Sequence, residues 1–280
     1  MTEQEAIDAF CLEPLTVLDV PAEETVGLAA ATGCRFMSLW VQSPQPDYPA
    51  RCLVESGPLA RRVAQSLADN GIRARNLEVF AISPDTDVSL FRPALEIGAS
   101  LGAQSATALL REGDFTRRVD QFVALCQLGA QYNLQINAEF VSYHSLGSLD
   151  QAVELIAAAK QPNAGIVVDL LHLTRSGGSP EQVRRMDPAL IGHAQVCDGP
   201  ATIRLEDRPF ESASDRMIPG EGDFPVRAFL DALPPAPLGL EVPFKAAAFE
   251  GMSPLARVTR LVEATRRVLA AGGETAAAEI

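Results

Sequence analysis

Lysine is almost missing from this chain: only Lys160 and Lys245 are lysines among 23 basic residues, against 36 acids and a formal net charge of −13. So acidic a protein repels a phosphate backbone, whose neutralisation by cationic side chains supplies most non-specific affinity, and this excludes nucleic acid as a first choice of partner. Cysteine is sparse as well. Cys11, Cys34, Cys52, Cys126 and Cys197 are scattered, odd in number and never arranged as C-x-x-C, which indicates neither a zinc ribbon nor a disulfide framework and fits a reduced cytoplasm. No apolar run reaches the roughly 18 residues that a spanning helix needs, so no membrane association is expected. The start, "MTEQEAIDAF", carries acids where a secretory or transit peptide carries basic residues, and no targeting segment is expected there. A Gly-rich turn is lacking after the first apolar run, in "LDVPAEE", which removes the main signal of a dinucleotide-binding open sheet.

What is present is one alternation carried to the end. Short runs rich in Val, Ile, Leu and Phe recur at 15–20, 35–41, 73–82, 104–110, 135–141, 164–173, 190–198 and 237–243. Segments of helical spacing separate them, among them "GPLARRVAQSLADNG", "DFTRRVDQFVALCQLGAQYN" and "SPLARVTRLVEATRRVLAAGG". Strict strand-then-helix order implies a parallel sheet, and eight units imply closure into a (β/α)8 TIM barrel. A single domain over 1–280 is expected, with the Ala-rich stretch 270–280 as a frayed tail.

In such a barrel, chemistry belongs at the C-terminal ends of the strands. Polar residues gather there: Glu139 in "INAEFVSYH", Asp169 at the end of "GIVVD", His193 and Gln195 ahead of Asp198, and Glu241 in "LGLEVP". Burying a carboxylate is costly unless it is paired or bound to a metal. Any one of these acids reads equally well as a cap of the following helix or the partner of an Arg; together, at successive strand ends, they form an oxygen-rich set suited to a divalent ion such as Mg, Mn, Co or Zn. His193, on an alternating strand, reads either as a hydrogen-bonded core residue or as a substrate contact. Trp40, Phe80, Phe140, Tyr143 and Phe244 fall at or just after strand ends, either as packing or as a wall for a ring-shaped substrate. Lys245 lies beside them. No basic cluster or Gly-rich helix start marks a phosphate site, so an unphosphorylated substrate is expected.

"VVDLLH" (167–172), "IGHAQVCD" (191–198), "RMIPGEGDFPVRAFLDAL" (216–233) and "LGLEVP" (238–243), in this order, resemble the xylose isomerase-like superfamily of sugar phosphate isomerases and epimerases. The resemblance implies one divalent metal (Mg, Mn or Co, with Zn as an option) held by Glu139, Asp169, Gln195 and Glu241. It implies catalytic roles for Glu139, Glu241, His172 and Arg216, the last clamping a substrate oxyanion; Trp40, Phe80, Tyr143, His193 and Lys245 are expected around the substrate from their places near strand ends. Proton abstraction next to a carbonyl of a small polyhydroxylated molecule is the implied chemistry, and homo-dimers or tetramers are the implied assembly. One position departs from the pattern. Where epimerases of the superfamily carry the second His of H-x-H, this chain has Gln195, which is similar to dehydratases acting on dehydroshikimate. A dehydratase or retro-aldol lyase of a cyclic or aromatic substrate is therefore the alternative; a metabolite-binding barrel without catalysis and an apurinic endonuclease are the remaining ones.

Overall fold

The computed structural model describes residues 9–43, 52–54, 56–244 and 251–271. Its elements run β1 (Phe10–Leu12), α1 (Ala22–Thr32), β2 (Phe36–Trp40), α2 (Gly57–Asn70), β3 (Arg73–Ile82), α3 (Arg92–Ser100), β4 (Ser105–Leu110), α4 (Phe115–Ala130) and β5 (Gln135–Glu139). They continue with α5 (Leu149–Ala159), β6 (Ala164–Asp169), α6 (Leu170–Arg175), α7 (Pro180–Arg185), β7 (Ile191–Val196), α8 (Arg208–Ser214), α9 (Val226–Leu230), β8 (Leu238–Leu240) and α10 (Pro254–Ala270). The eight strands pair in sequence order, all parallel, and β8 closes on β1. This is the expected TIM barrel. No helix among the described residues is long and apolar enough to cross a membrane. The 272–280 part of the tail, like Lys245, lies outside the described residues.

Local chemistry sets the helix starts. Ser56, Asp114, Ser148 and Ser253 each accept a hydrogen bond from the backbone N–H three residues on, opening α2, α4, α5 and α10. Each side-chain oxygen thereby satisfies one of the first-turn donors that a helix leaves unpaired.

The first strand is a correction. The run at 15–20 does not form one: Pro14–Val17 is a 3-10 turn, and the strand is the short Phe10–Leu12 before it. Pro14 has no N–H to offer a ladder and ends pairing there. As a result Glu13, just past the end of β1, joins the interior of the barrel, with no measurable exposure.

The interior is polar to an unusual depth, because side chains two apart on a strand share a face. Beneath Glu139, Glu78 and Gln195 lie Asn137, Asn76 and His193, all buried. Close approach needs glycine at two places. A Cβ on Gly192 would stand 1.9 Å from Asn137 Oδ1, and one on Gly239 would stand 2.6 Å from Glu13 Oε1 and 3.0 Å from Gln195 Cγ.

Candidate functional site

The C-terminal mouth of the barrel holds a cavity of about 280 Å³ whose lining includes Trp40, Glu78, Glu139, Tyr143, His172, Arg216 and Glu241. Glu139 ends β5 and Asp169 ends β6, Gln195 sits one residue before the end of β7, and Glu241 directly follows β8. Asp169 and Gln195 are register partners, and so are Gln195 and Gly239. Glu78 enters from β3, where the register with β4 slips between Leu77 and Phe80. Such a bulge re-aims the side chains around it. Glu78 Oε1 accepts from Asn76 Nδ2 at 2.7 Å and from Thr107 Oγ1 at 3.0 Å, so the carboxyl is anchored from below.

Arg216 is the hub of the mouth. Its Nη1 donates to Asp169 Oδ2 at 2.7 Å, its Nη2 lies 2.9 Å from Glu241 Oε2, and its Nε donates to Ser212 O at 2.9 Å. All three charged groups are buried. Asp169 has a second task, since its Oδ1 accepts from Leu171 N at 2.7 Å and caps α6. The bland readings of this acid, helix cap and arginine partner, are thus both realised. His172, on that same turn, has Nδ1 3.5 Å from Ser142 Oγ and Nε2 3.4 Å from Ser212 Oγ.

Burial and charge set the protonation of these groups. Burial pushes the Glu139 carboxyl up to about 8, with Asp169 adding to the rise and Arg216 opposing it. Burial also raises Glu241 against the pull of Arg216, and raises Glu78, where Glu13, Glu139 and Glu241 add repulsion. Asp169 goes the other way: burial would raise it, but Arg216 and His172 outweigh that and hold it below the usual carboxylate value. His172 is depressed to about 4, chiefly by burial, so its imidazole is neutral at pH 7.

The donor set fits a divalent cation. Glu139, Asp169 and His172 offer donor atoms that all lie within 4.8 Å of one another. Gln195 Oε1 is buried with no hydrogen-bond partner. Five carboxylates, Glu13, Glu78, Glu139, Asp169 and Glu241, are buried around this interior, while Arg216 forms ion pairs with just two of them. An excess of buried negative charge is stable when protons or a metal neutralise it.

The expected site residues divide clearly. Glu139, His172, Arg216, Glu241, Trp40 and Tyr143 line one cavity, and Asp169 is bound to that cavity through Arg216. Arg216 is not free to clamp a substrate oxyanion as expected, because its fork is occupied by Asp169 and Glu241. Phe80 and His193, expected around the substrate, do not line this cavity. Phe80 is fully buried and packs edge-on against Phe91 with ring centroids 5.3 Å apart, and His193 Nε2 lies 2.8 Å from Glu13 Oε1 inside the barrel. Phe140 is likewise core, and Phe244 packs against it half-buried. Asp198 starts its loop, accepting from the N–H groups of Gly199, Gly220 and Phe224. Arg175, three residues past His172, is structural as well: it pairs with buried Glu211 and stands over the Phe224 ring. Two interior acids escaped the sequence reading, Glu78 and Glu13. Both are acids between apolar neighbours, in "NLEVF" and "CLEPL", the same signal that marks Glu139.

The family model described as the xylose isomerase-like TIM barrel matches residues 26–258. The chain belongs to this family. Among curated relatives of this xylose isomerase-like barrel, the inosose isomerase of Bacillus subtilis (strain 168) is 25% identical over 158 residues, 52% of this chain and 55% of that protein. The match thus spans about half the length of the relative. The solved structure of the IOLI protein with a binding zinc atom superposes with a TM-score of 0.75 at 17% identity, covering 93% of this chain and 96% of that one. The probable 3-DHS dehydratase AsbF from Bacillus anthracis superposes with a TM-score of 0.70 at 17% identity, over 92% and 97% of the two chains. At these identities the structural likeness establishes the shared fold.

Proposed function

We propose that this chain is a divalent-metal-dependent isomerase or epimerase of a small, unphosphorylated, cyclic polyhydroxy ketone of the inosose type. The observation that carries the reading is the pair Glu139 and Glu241: two buried carboxyl groups from β5 and from the end of β8, both with raised pKa, facing one cavity. Pairs of carboxyl groups tuned by burial are what proton removal and return at pH 7 require. The substrate class takes support from the inosose isomerases among the relatives. The described cations lining the cavity are Arg111 and Arg216, and Arg216 is tied to two acids, so no positive cluster favours a phosphate.

Glu139, Asp169, Gln195 and Glu241 would hold the metal, which when bound supplies Lewis-acid stabilisation of charge developing on a substrate oxygen. The chain's own residues do the rest. One of Glu139 and Glu241, ionised, takes the proton from the carbon beside the carbonyl; the other, protonated, delivers a proton to the neighbouring carbon or to the opposite face. His172, neutral, offers one donor and one acceptor nitrogen to substrate hydroxyls. Trp40 and Tyr143 wall the ring. Arg216 keeps Asp169 ionised throughout.

A dehydratase is the second reading, favoured by Glu78, a third carboxyl group on the same cavity with a raised pKa. It shares the first proton removal, after which a protonated carboxyl assists a hydroxyl to leave as water. Incubation with cyclic and open-chain polyhydroxy ketones in D2O, with Mg, Mn or Co, followed by NMR, separates the two. Deuterium beside the carbonyl and an isomeric product support the isomerase; loss of water supports the dehydratase. Neither exchange nor loss of water in any substrate with any metal would sink both.

A further inference from the structure

A second group of ligating side chains lies inside the barrel, apart from the mouth. A Sγ from Cys11, a carboxylate oxygen from Glu13 and a ring nitrogen from His193 all fall within 4.8 Å of one another. The three residues have exposures of 0%, 0% and 2%. His193 is two residues before Gln195 on β7, about 7 Å of strand deeper than the mouth at the usual rise per residue. None of the three residues lines the mouth cavity.

The cluster is incompletely satisfied as it stands. His193 Nε2 and Glu13 Oε1 meet at 2.8 Å, but Glu13 Oε2 and His193 Nδ1 are buried without a hydrogen-bond partner. Cys11 Sγ lies 3.6 Å from Ser38 Oγ and also hydrogen-bonds to Glu13, so thiol and carboxylate already meet in the cluster. Buried polar atoms left unpaired cost free energy and are uncommon in native proteins. The backbone of Gly239 packs closely on the cluster, where any Cβ would press on Glu13 Oε1 at 2.6 Å.

We propose that Cys11, Glu13 and His193 form a second metal site, distinct from the carboxylate mouth and selective for a thiophilic divalent ion such as Zn or Co. The donor chemistry carries the choice. One sulfur, one imidazole and one carboxylate suit tetrahedral Zn or Co with one further position open, whereas Mg and Ca need oxygen donors in greater number. On binding, the Cys11 thiol gives its proton to solvent, and thiolate and carboxylate together supply the two negative charges that neutralise the ion. The ion also relieves part of the excess charge around Glu13, whose other buried acid neighbours include Glu78. This site is independent of the isomerase reading, since it shares no ligand with it.

Cobalt tests it on the full chain. The metal-stripped protein is titrated with Co, and the near-ultraviolet thiolate-to-cobalt charge-transfer band is recorded beside elemental analysis. The parent should show the band; Cys11→Ser should lose it together with about one equivalent of metal. His193→Gln, which keeps a donor toward Glu13, should weaken binding at least tenfold and serves as the second test if Cys11→Ser does not fold. Asp169→Asn should keep the band, which separates this site from the mouth. Cys197, whose Sγ lies 3.9 Å from Arg216 Nη1, is a thiol beside the mouth, and Cys197→Ser should keep the band too. A folded parent without the band, a band that survives Cys11→Ser, or one lost with Asp169→Asn or Cys197→Ser overturns the proposal and leaves Glu13 and His193 as a hydrogen-bonded core pair.

Discussion

Arg216 Nη1 donates to Asp169 Oδ2 at 2.7 Å, between groups 47 residues apart in the chain. The contact sets the charge pattern of the mouth. It holds Asp169 ionised while Glu139, with no arginine of its own, stays protonated to about 8. Neighbouring acids at adjacent strand ends therefore differ in charge near neutral pH, which leaves Glu139 with a pKa suited to proton transfer.

Replacing Arg216 by Met should destabilise the metal-free protein by about 3–5 kcal/mol, because Asp169 and Glu241 are left buried without their counter-charge. Urea unfolding at pH 7 measures this, and added Mg or Mn should recover part of the loss. Equal stability of parent and variant would show that the guanidinium is not what balances these acids.

Two groups predict opposite pH slopes. Glu139 moves from 4.5 in the unfolded chain up to about 8 when folded, so its contribution is complete below 4.5 and disappears as pH rises through about 8. His172 moves from 6.5 down to about 4, so its contribution is complete above 6.5 and disappears as pH falls through about 4. Metal-free protein should melt highest between these limits. Glu139→Gln should flatten the alkaline side and His172→Gln the acid side. NMR of His172 should show a neutral ring down to about pH 5, and a midpoint near 6.5 would contradict the burial argument.

Gln195 carries an orphaned buried oxygen, which gives Gln195→Leu a split outcome. Stability without metal should stay level or rise by about 1 kcal/mol, since an unsatisfied group is removed. Metal affinity should fall at least tenfold. Gln195→His should bind metal but shift preference from Mg toward Zn, measured by competition titration. Unchanged selectivity would take Gln195 off the ligand set.

Asp198 is buried and receives three backbone N–H groups at 2.8–2.9 Å. Asp198→Ala should cost about 2–3 kcal/mol, because three hydrogen bonds are lost and the N–H groups of Gly199 and Phe224 are left buried. Metal content at the mouth should be unaffected. A metal-free Asp198→Ala protein that is still folded would instead place this acid in the binding site.

The placing of strands was readable wherever an apolar run was long. It failed at β1, where only Phe10, Cys11 and Leu12 pair before Pro14, too short a run to show a period. That error hid Glu13. Glu78 was hidden differently, since it lies within β3 and a slip in register turns it to the mouth. The aromatics stayed open between packing and substrate wall for a plainer reason: Phe80 and Phe140 near strand ends are core, and sequence position does not tell which way a ring points.

By itself the sequence determined the eightfold strand and helix order, and it marked Glu139, Asp169 and Glu241, because periodicity and an acid among apolar residues are local properties. Tertiary structure alone decided what those acids meet. Closure brings β8 against β1, so that His193 finds Glu13 at 180 residues' separation and Arg216 finds Asp169 and Glu241. Burial and Arg216 then move similar carboxyl groups in opposite directions, Asp169 down and Glu139, Glu241 and Glu78 up, and burial is a property of the closed barrel rather than of any stretch of chain.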